Sequence, residues 1–437
     1  MIMPDRQQSA FALTNLHLMD PSTGLDEKGA ILVEDGRIKA IGANVAGQLP
    51  TDILRVDGHG KVAAPGLVDM HVTTGEPGAE HRETLRSASR AAAAGGVTTI
   101  ATMPDTDPVI DDIALVDFIK RRARDTASVH VAPYAAMTKG LNGKEMTEIG
   151  MMLEAGAVAL TNGRRAITNA QVMRRVMTYA RDFDALIVHH PEDPDLVGNG
   201  VMNLGETSTR LGLAGIPAEA ETIMVARDIR LAQLTGCRYH ASQISCAESL
   251  EIIRRAKDKG LDVTCGVSIN HLTLNENDIG LYRTFYKMSP PLRSEDERLA
   301  MVEGVADGTI DVIHSAHDPQ DVDTKRHPFA ECADGAVGLE TMLAAAMRLV
   351  HSDQLSLSQA FKALSTTPAA LLSLDAGTLK PGNPADIILF DPDEPWVMDR
   401  DLLKSRSKNT AFHKARLSGR VLQTYVEGQL VHHYDPS

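Results

Sequence analysis

The spacing of apolar residues changes character twice along the chain. Residues 10–62 hold short alternating runs, FALTNLHLMD, GAILVEDGRIKAIGA and DILRVDGHGKVAAPG, each broken by Gly or Asp-Gly. Alternation of this kind between turn residues predicts hairpin strands. From Leu67 onward eight strand-like runs follow: LVDMHV, VTTIATM, VHVAPYAAM, AVALT, ALIVHH, CRYHASQI, LDVTCGV and IDVIHSA. Between them lie helix-length segments such as EHRETLRSASRAAAAGG, AQVMRRVMTYARDF, AEAETIMVARDIRLAQLTG and CAESLEIIRRAKDKG, several closed by Gly at the C-terminal end. Eight β/α alternations predict an α/β protein built on a TIM (β/α)8 barrel. After Leu374 the strand pattern returns in GTLKPGNPADIILFDPD and RVLQTYVEGQLV. The expected organisation is a barrel over 63–374 and a small composite β-sandwich domain made from 1–62 and 375–437.

Composition narrows the function classes. With 437 residues, 43% hydrophobic and 23% charged, the chain can bury a large core, which disfavours disorder. Its 44 basic against 58 acidic residues leave a net charge of -14, and no basic run interleaves with aromatics, so nucleic acid is not an expected partner. No apolar run of about 18 residues is present, so no membrane span is expected. The cysteines Cys237, Cys246, Cys265 and Cys332 form no C-x-x-C pair, and the start MIMPDRQQSAF lacks a basic region followed by an apolar one. Both features predict a reducing, cytoplasmic setting.

Barrel chemistry sits at the C-terminal ends of the strands. Those ends carry His71, Met103, Asn162, His190, Gln243 and Ala316. The segment PGLVDMHVTTGEPG, Pro65 to Gly78, stands out because His71-Val72-Thr73 is one imidazole short of a His-x-His metal motif. Threonine is a poor replacement, since zinc-type sites use nitrogen, thiolate and carboxylate donors.

Several separate motifs carry a resemblance over nearly the whole chain: PGLVDMH, GEPGAEHRETLRSASRAAAAGGVTTIATMPDTDPVID, TKGLNGKEMTEIG, VMNLGETSTRLGLAGIPAEAE, SPPLRSEDER, PFAECADGAVGLETML and GTLKPGNPADIILFDP. The chain resembles the bacterial-type dihydroorotases of the amidohydrolase superfamily. That resemblance implies a TIM barrel with a flanking β-sandwich, one or two zinc ions, and reversible cyclisation of carbamoyl aspartate in pyrimidine biosynthesis.

The departures fall on the positions that the family uses for chemistry. The resemblance implies metal ligands at His71, Thr73, Asn162, His190, Gln243 and Ala316, and only His71 and His190 are donors of the expected kind. The last position, an Asp in the family, is also the general base, and a methyl group cannot accept a proton. Gly75 stands where the family has an Arg that forks onto the substrate carboxylate, and Asp105 replaces an Asn. Ser289 and Gln320 replace an Asn and a His near the substrate. A catalytic zinc takes about three protein ligands, and loss of a general base alone costs roughly 100- to 10,000-fold. His71 and His190 are therefore expected to be vestigial, with no bound metal. Zinc is expected only if the chain is active.

The other polar residues have structural readings. His189 should point away from the site by strand alternation. His240 corresponds to a family position that is not a ligand, and His317 and His271 are expected to satisfy loop carbonyls. Lys139 matches a scaffold motif and not the end of strand four. A rebuilt ligand set of His71, His190, His314 and Asp318 is conceivable, because His314 shares strand parity with Asp318. The resemblance extends to non-catalytic members, which implies a structural partner of aspartate transcarbamoylase or a homo-oligomer. An active zinc dihydroorotase with an unusual mononuclear site, or an amidohydrolase for another cyclic amide, are the alternatives.

Overall fold

The computed structural model describes residues 10–435, so most of the MIMPDRQQSAF start and the last two residues lie outside the described residues. Strands β1 (Ala10–Asp20), β2 (Leu25–Glu34), β3 (Arg37–Gly42), β4 (Leu54–Asp57) and β5 (Val62–Pro65) come first. Barrel strands β6 (Leu67–Val72), β7 (Val97–Thr102), β8 (His130–Pro133), β9 (Ala135–Ala136), β10 (Leu160–Thr161) and β11 (Ile187–His189) follow. A short pair, β12 (Met202–Asn203) and β13 (Gly215–Ile216), interrupts them before β14 (Tyr239–Ala241), β15 (Val263–Ser268) and β16 (Val312–His314). The chain ends in β17 (Ile387–Val397), β18 (Arg416–Val426) and β19 (Gln429–His433).

The terminal segments share one mixed sheet in the order β19-β18-β17-β5-β1-β2-β3. β1 carries β4 beside Phe11–Thr14 and β5 beside His17–Leu18, so the sheet branches there into two leaves. Strand alternation turns Phe11 and Leu13 into a core with Ile31, Val33, Ile387 and Leu389. The C-terminal segment joins through β17, antiparallel to β5 with Ile387 opposite Pro65. β5 spans the expected boundary at residue 62.

In the barrel all paired strands run parallel, β6-β7-β8 in one run and β9-β10-β11-β14-β15-β16 in the other. β8 and β9 are one segment interrupted at Tyr134, whose buried hydroxyl donates to the Met70 carbonyl at 3.1 Å. The ring closes between the first and last strands. Thr73 N–H donates to His317 O at 2.8 Å, and Asp69 accepts from His71 N–H at 3.0 Å and Ser315 N–H at 3.3 Å. Burial pushes the Asp69 carboxyl up to about 6, against those hydrogen bonds.

The outer helices start where side-chain caps are available. Thr84 and Ser87 form a capping box for Leu85–Ala94, Asp112 caps Ile113–Thr126, and Asn169 caps Ala170–Arg181. In the last of these Met173, Val176, Met177 and Ala180 recur at helical spacing and are buried against the barrel. All four cysteines are free and buried. No helix among the described residues is long and apolar enough to cross a membrane.

Candidate functional site

His71, at the end of β6, is buried and stacks on His314 of β16, with ring centroids 4.9 Å apart at 18°. Burial, then neighbouring His190, Arg164 and His240, pushes the His71 imidazole down to about 3. Burial and the His71 ring hold His314 well below the usual histidine range. Both rings are thus neutral near pH 7. His314 Nδ1 accepts from Ala316 N–H at 3.2 Å, which leaves Nε2 as the donor to Ser242 O at 3.0 Å. Neither nitrogen has a lone pair free for a cation.

The residues at the positions where the resemblance implies ligands make other bonds. The Asn162 amide turns to Thr138, accepting from its N–H at 3.1 Å and donating to its Oγ1 at 2.8 Å. Gln243 Nε2 donates to His271 Nδ1 at 3.2 Å, and His271 Nε2 donates to Pro290 O and Pro291 O at 3.1 and 3.2 Å. Thr73 Oγ1 is buried without a hydrogen-bond partner. Ala316 adopts a left-handed backbone, φ +47°, which favours Gly, Asn or Asp over alanine.

Arg164 crosses the space in front of these residues. Its Nη1 donates to Asp318 Oδ2 at 2.6 Å and its Nη2 to Asp334 Oδ2 at 3.2 Å. Asp318 Oδ1 also accepts from Gln320 Nε2 at 2.7 Å and Arg82 Nη2 at 3.4 Å. Both carboxylate oxygens of Asp318 are therefore committed. Against the cost of its own burial, the Asp318, Asp334, Asp105 and Glu192 carboxylates hold the Arg164 guanidinium above its usual pKa. Burial, then the charge of Asp318, raises the Asp105 carboxyl. The remaining cavity, lined by His71, Arg164, Gln243, Ala316 and Asp318, offers about 20 Å³ to water centres, room for about one water.

Gly75 and Ser289 sit in tightly bonded surroundings. A Cβ on Gly75 would lie 1.9 Å from Ala79 O and 2.7 Å from Glu83 O, so no side chain fits without moving backbone. Ser289 Oγ donates to Glu192 Oε2 at 2.7 Å, and His190 Nε2 lies 3.4 Å from the same oxygen. Glu192 is held down to about 2 despite its burial, chiefly by His190 and then Ser289.

The donors do not fit a catalytic metal. Among the described residues no group of three or more His, Cys, Asp or Glu side chains could hold an ion. The conceivable set of His71, His190, His314 and Asp318 is not assembled, because His314 and Asp318 are consumed by the bonds above. His189 faces away from the site, with Asp228 Oδ2 2.7 Å from its Nδ1 and Ile167 N–H donating to its Nε2 at 2.9 Å. His240 pairs with Thr264 Oγ1 at 2.8 Å, and exposed Lys139 pairs with Glu145 at 2.5 Å. His271 satisfies loop carbonyls as expected, whereas His317 accepts from the Gly338 amide at 3.3 Å, because its ring faces a backbone N–H. Sequence reasoning missed Arg164, Arg82 and Asp334 as site residues. A signal existed in Thr161-Asn162-Gly163-Arg164, where a cation stands in the tetrapeptide for which the resemblance implies a carboxylate.

Comparison with known proteins agrees with this architecture. Residues 60–249 match the dihydro-orotase-like family model, and residues 305–432 match an amidohydrolase family model. The chain is 43% identical over 420 residues to a dihydroorotase of Syntrophotalea carbinolica, covering 96% of this chain and 98% of the relative. It is 42% identical to a dihydroorotase of Pelobacter propionicus, covering 96% and 99%. The L-hydantoinase (dihydropyrimidinase) of Arthrobacter aurescens superimposes with a TM-score of 0.88 at 26% identity, covering 97% of this chain and 96% of that one. A full-length match at this identity, on a barrel with the same terminal sheet, shows that the chain belongs to the dihydroorotase family of amidohydrolases.

Proposed function

We propose that this chain is a dihydroorotase homologue of pyrimidine biosynthesis that keeps the fold and not the hydrolysis, serving as a structural partner of aspartate transcarbamoylase. The observation that carries the non-catalytic part is the fate of the ligand positions. Thr73 and Ala316 have no donor of the needed kind, Asn162 is bonded to Thr138, and Gln243 is bonded to His271. With two imidazoles left, nothing in the site can ionise a water near neutral pH or polarise a ring carbonyl. Ala316 offers no base, and Gly75 offers no cation for the substrate carboxylate. The partner rests on the resemblance to non-catalytic family members alone.

The test is zinc analysis of the purified chain together with carbamoyl aspartate cyclisation, with and without added zinc, and co-elution with aspartate transcarbamoylase. Zinc well below one per chain, no turnover and a co-eluting complex are expected. Stoichiometric zinc with turnover would overturn the reading. A second reading, an active hydrolase, is favoured by the curated name of the relatives at 43% and 42% identity. Assaying dihydroorotate and a hydantoin side by side separates its two forms.

A further inference from the structure

The site contains an ionic cluster that the loss of chemistry does not explain. Arg164 follows β10, Asp318 and Asp334 follow β16, and Arg82 belongs to the loop after β6. The cluster thus ties together the mouth loops of three separate barrel strands. Arg164 bridges Asp318 at 2.6 Å and Asp334 at 3.2 Å with two different nitrogens, a fork that a guanidinium can make and an ammonium cannot. Arg82 adds a contact to Asp318 at 3.4 Å and donates to Pro319 O at 2.9 Å. The Asp318 side chain is 10% exposed and that of Arg164 28%, so water and salt screen the pair less than a surface pair.

The position is also specific. Arg164 lines the same cavity as His71, Gln243 and Ala316, three of the positions where the family would place ligands. Burial, then the charge of Asp318, raises the nearby Asp105 carboxyl while Arg164 and then Arg82 lower it, and Lys287 Nζ lies 3.9 Å from Asp334, farther than the 3.2 Å of Arg164.

We infer that Arg164, forked between Asp318 and Asp334, is a metal-replacing clasp that ties the strand-four and strand-eight loops together and supplies the positive charge that a cation would supply at this barrel mouth. The inference rests on the non-hydrolytic reading of the same site. It adds a specific consequence: the mouth needs no ion for its stability.

The test is apparent thermal unfolding of the full chain at one scan rate, with and without EDTA, for wild type, R164M, D318N and the double variant. Wild type should melt within about 1 °C of itself in EDTA. R164M and D318N should each melt about 4–10 °C lower, and the double variant should lose clearly less than the sum of the two. Should R164M fail to fold, R164K serves in its place, and an intermediate loss is expected because the ammonium keeps the charge but lacks the planar fork that places two nitrogens on two carboxylates. Unchanged melting of R164M or R164K, additive losses, or an EDTA-induced fall in wild-type melting that zinc reverses would each overturn the clasp. Turnover is measured separately: turnover with an intact coupling cycle would sink the proposed function and the metal-replacing role together, leaving Arg164 a loop-to-loop ion pair only, whereas a failed coupling cycle without turnover would sink the clasp alone.

Discussion

Placing a methyl group on Gly75 tests whether this loop has room for any side chain at the position where the resemblance implies an Arg. The Cβ of G75A would lie 1.9 Å from Ala79 O, about 1 Å inside the closest approach of 3.0 Å that such atoms make, with Glu83 O at 2.7 Å on the other side. Both obstacles are backbone oxygens, and both accept hydrogen bonds that shape the loop, Ala79 O from Arg82 N–H at 2.9 Å and Glu83 O from Gly75 N–H at 3.0 Å. Disrupting the two bonds costs about 1 kcal/mol each, and the displacement adds about 1–3 kcal/mol of strain. The expected destabilisation is about 3–5 kcal/mol, a fall in apparent Tm of about 6–20 °C by the scaling of domains of about 150–250 residues. G47A is the control, because Gly47 is in a short helical turn with nothing within 4 Å of a Cβ and should be neutral or slightly stabilised. Urea titration of the three proteins, with equal slopes, gives the differences directly. If G75A lies within about 0.5 kcal/mol of wild type, the loop is plastic and the argument that Arg has no room at this position fails.

Four further outcomes are expected. A316G should raise stability by about 1 kcal/mol, since it removes the left-handed strain at φ +47°; unchanged or lower urea midpoints would contradict this. T73V should be neutral or stabilising by up to about 1 kcal/mol, because the Thr73 hydroxyl is buried without a partner, and a loss above about 1 kcal/mol in the same titration would show that the hydroxyl is satisfied. The combined variant T73H, N162D, Q243H and A316D should still bind zinc substoichiometrically by atomic emission until R164G is added; stoichiometric zinc without it would show that the clasp does not block the site. His130 on β8 lies 3.0 Å from Asp386 just before β17, and despite partial burial this carboxylate raises its pKa. A raised folded-state pKa gives stability that is fully present below the unfolded value of about 6.5 and is lost as pH rises through the folded one. H130Q should therefore be less stable than wild type at pH 6 and differ little at pH 9 in urea titrations.

The chain alone specifies the barrel and its satellite sheet because period-two alternation, buried apolar runs and Gly-closed helices are local, repeated signals. The eight runs from LVDMHV to IDVIHSA correspond to the eight barrel strands, with VHVAPYAAM split at Tyr134 into β8 and β9. The candidate site positions were named from sequence on a different ground. Their identities sit inside motifs, so Thr73, Asn162, Gln243, Ala316 and Gly75 could be recognised without coordinates. What those residues do instead was not legible. That Asn162 turns to Thr138, that His314 Nε2 donates to Ser242 O, and that Asp318 answers to Arg164 and Arg82 depend on partners 24 to 236 positions apart. Asp318 illustrates the limit: strand parity made it a candidate ligand, and only the closed barrel, which brings the loops after β6, β10 and β16 to one mouth, made it the acceptor of an arginine fork. Residue type sets which bonds a side chain can make, but the competition among partners is settled by which of them the fold places within about 3 Å.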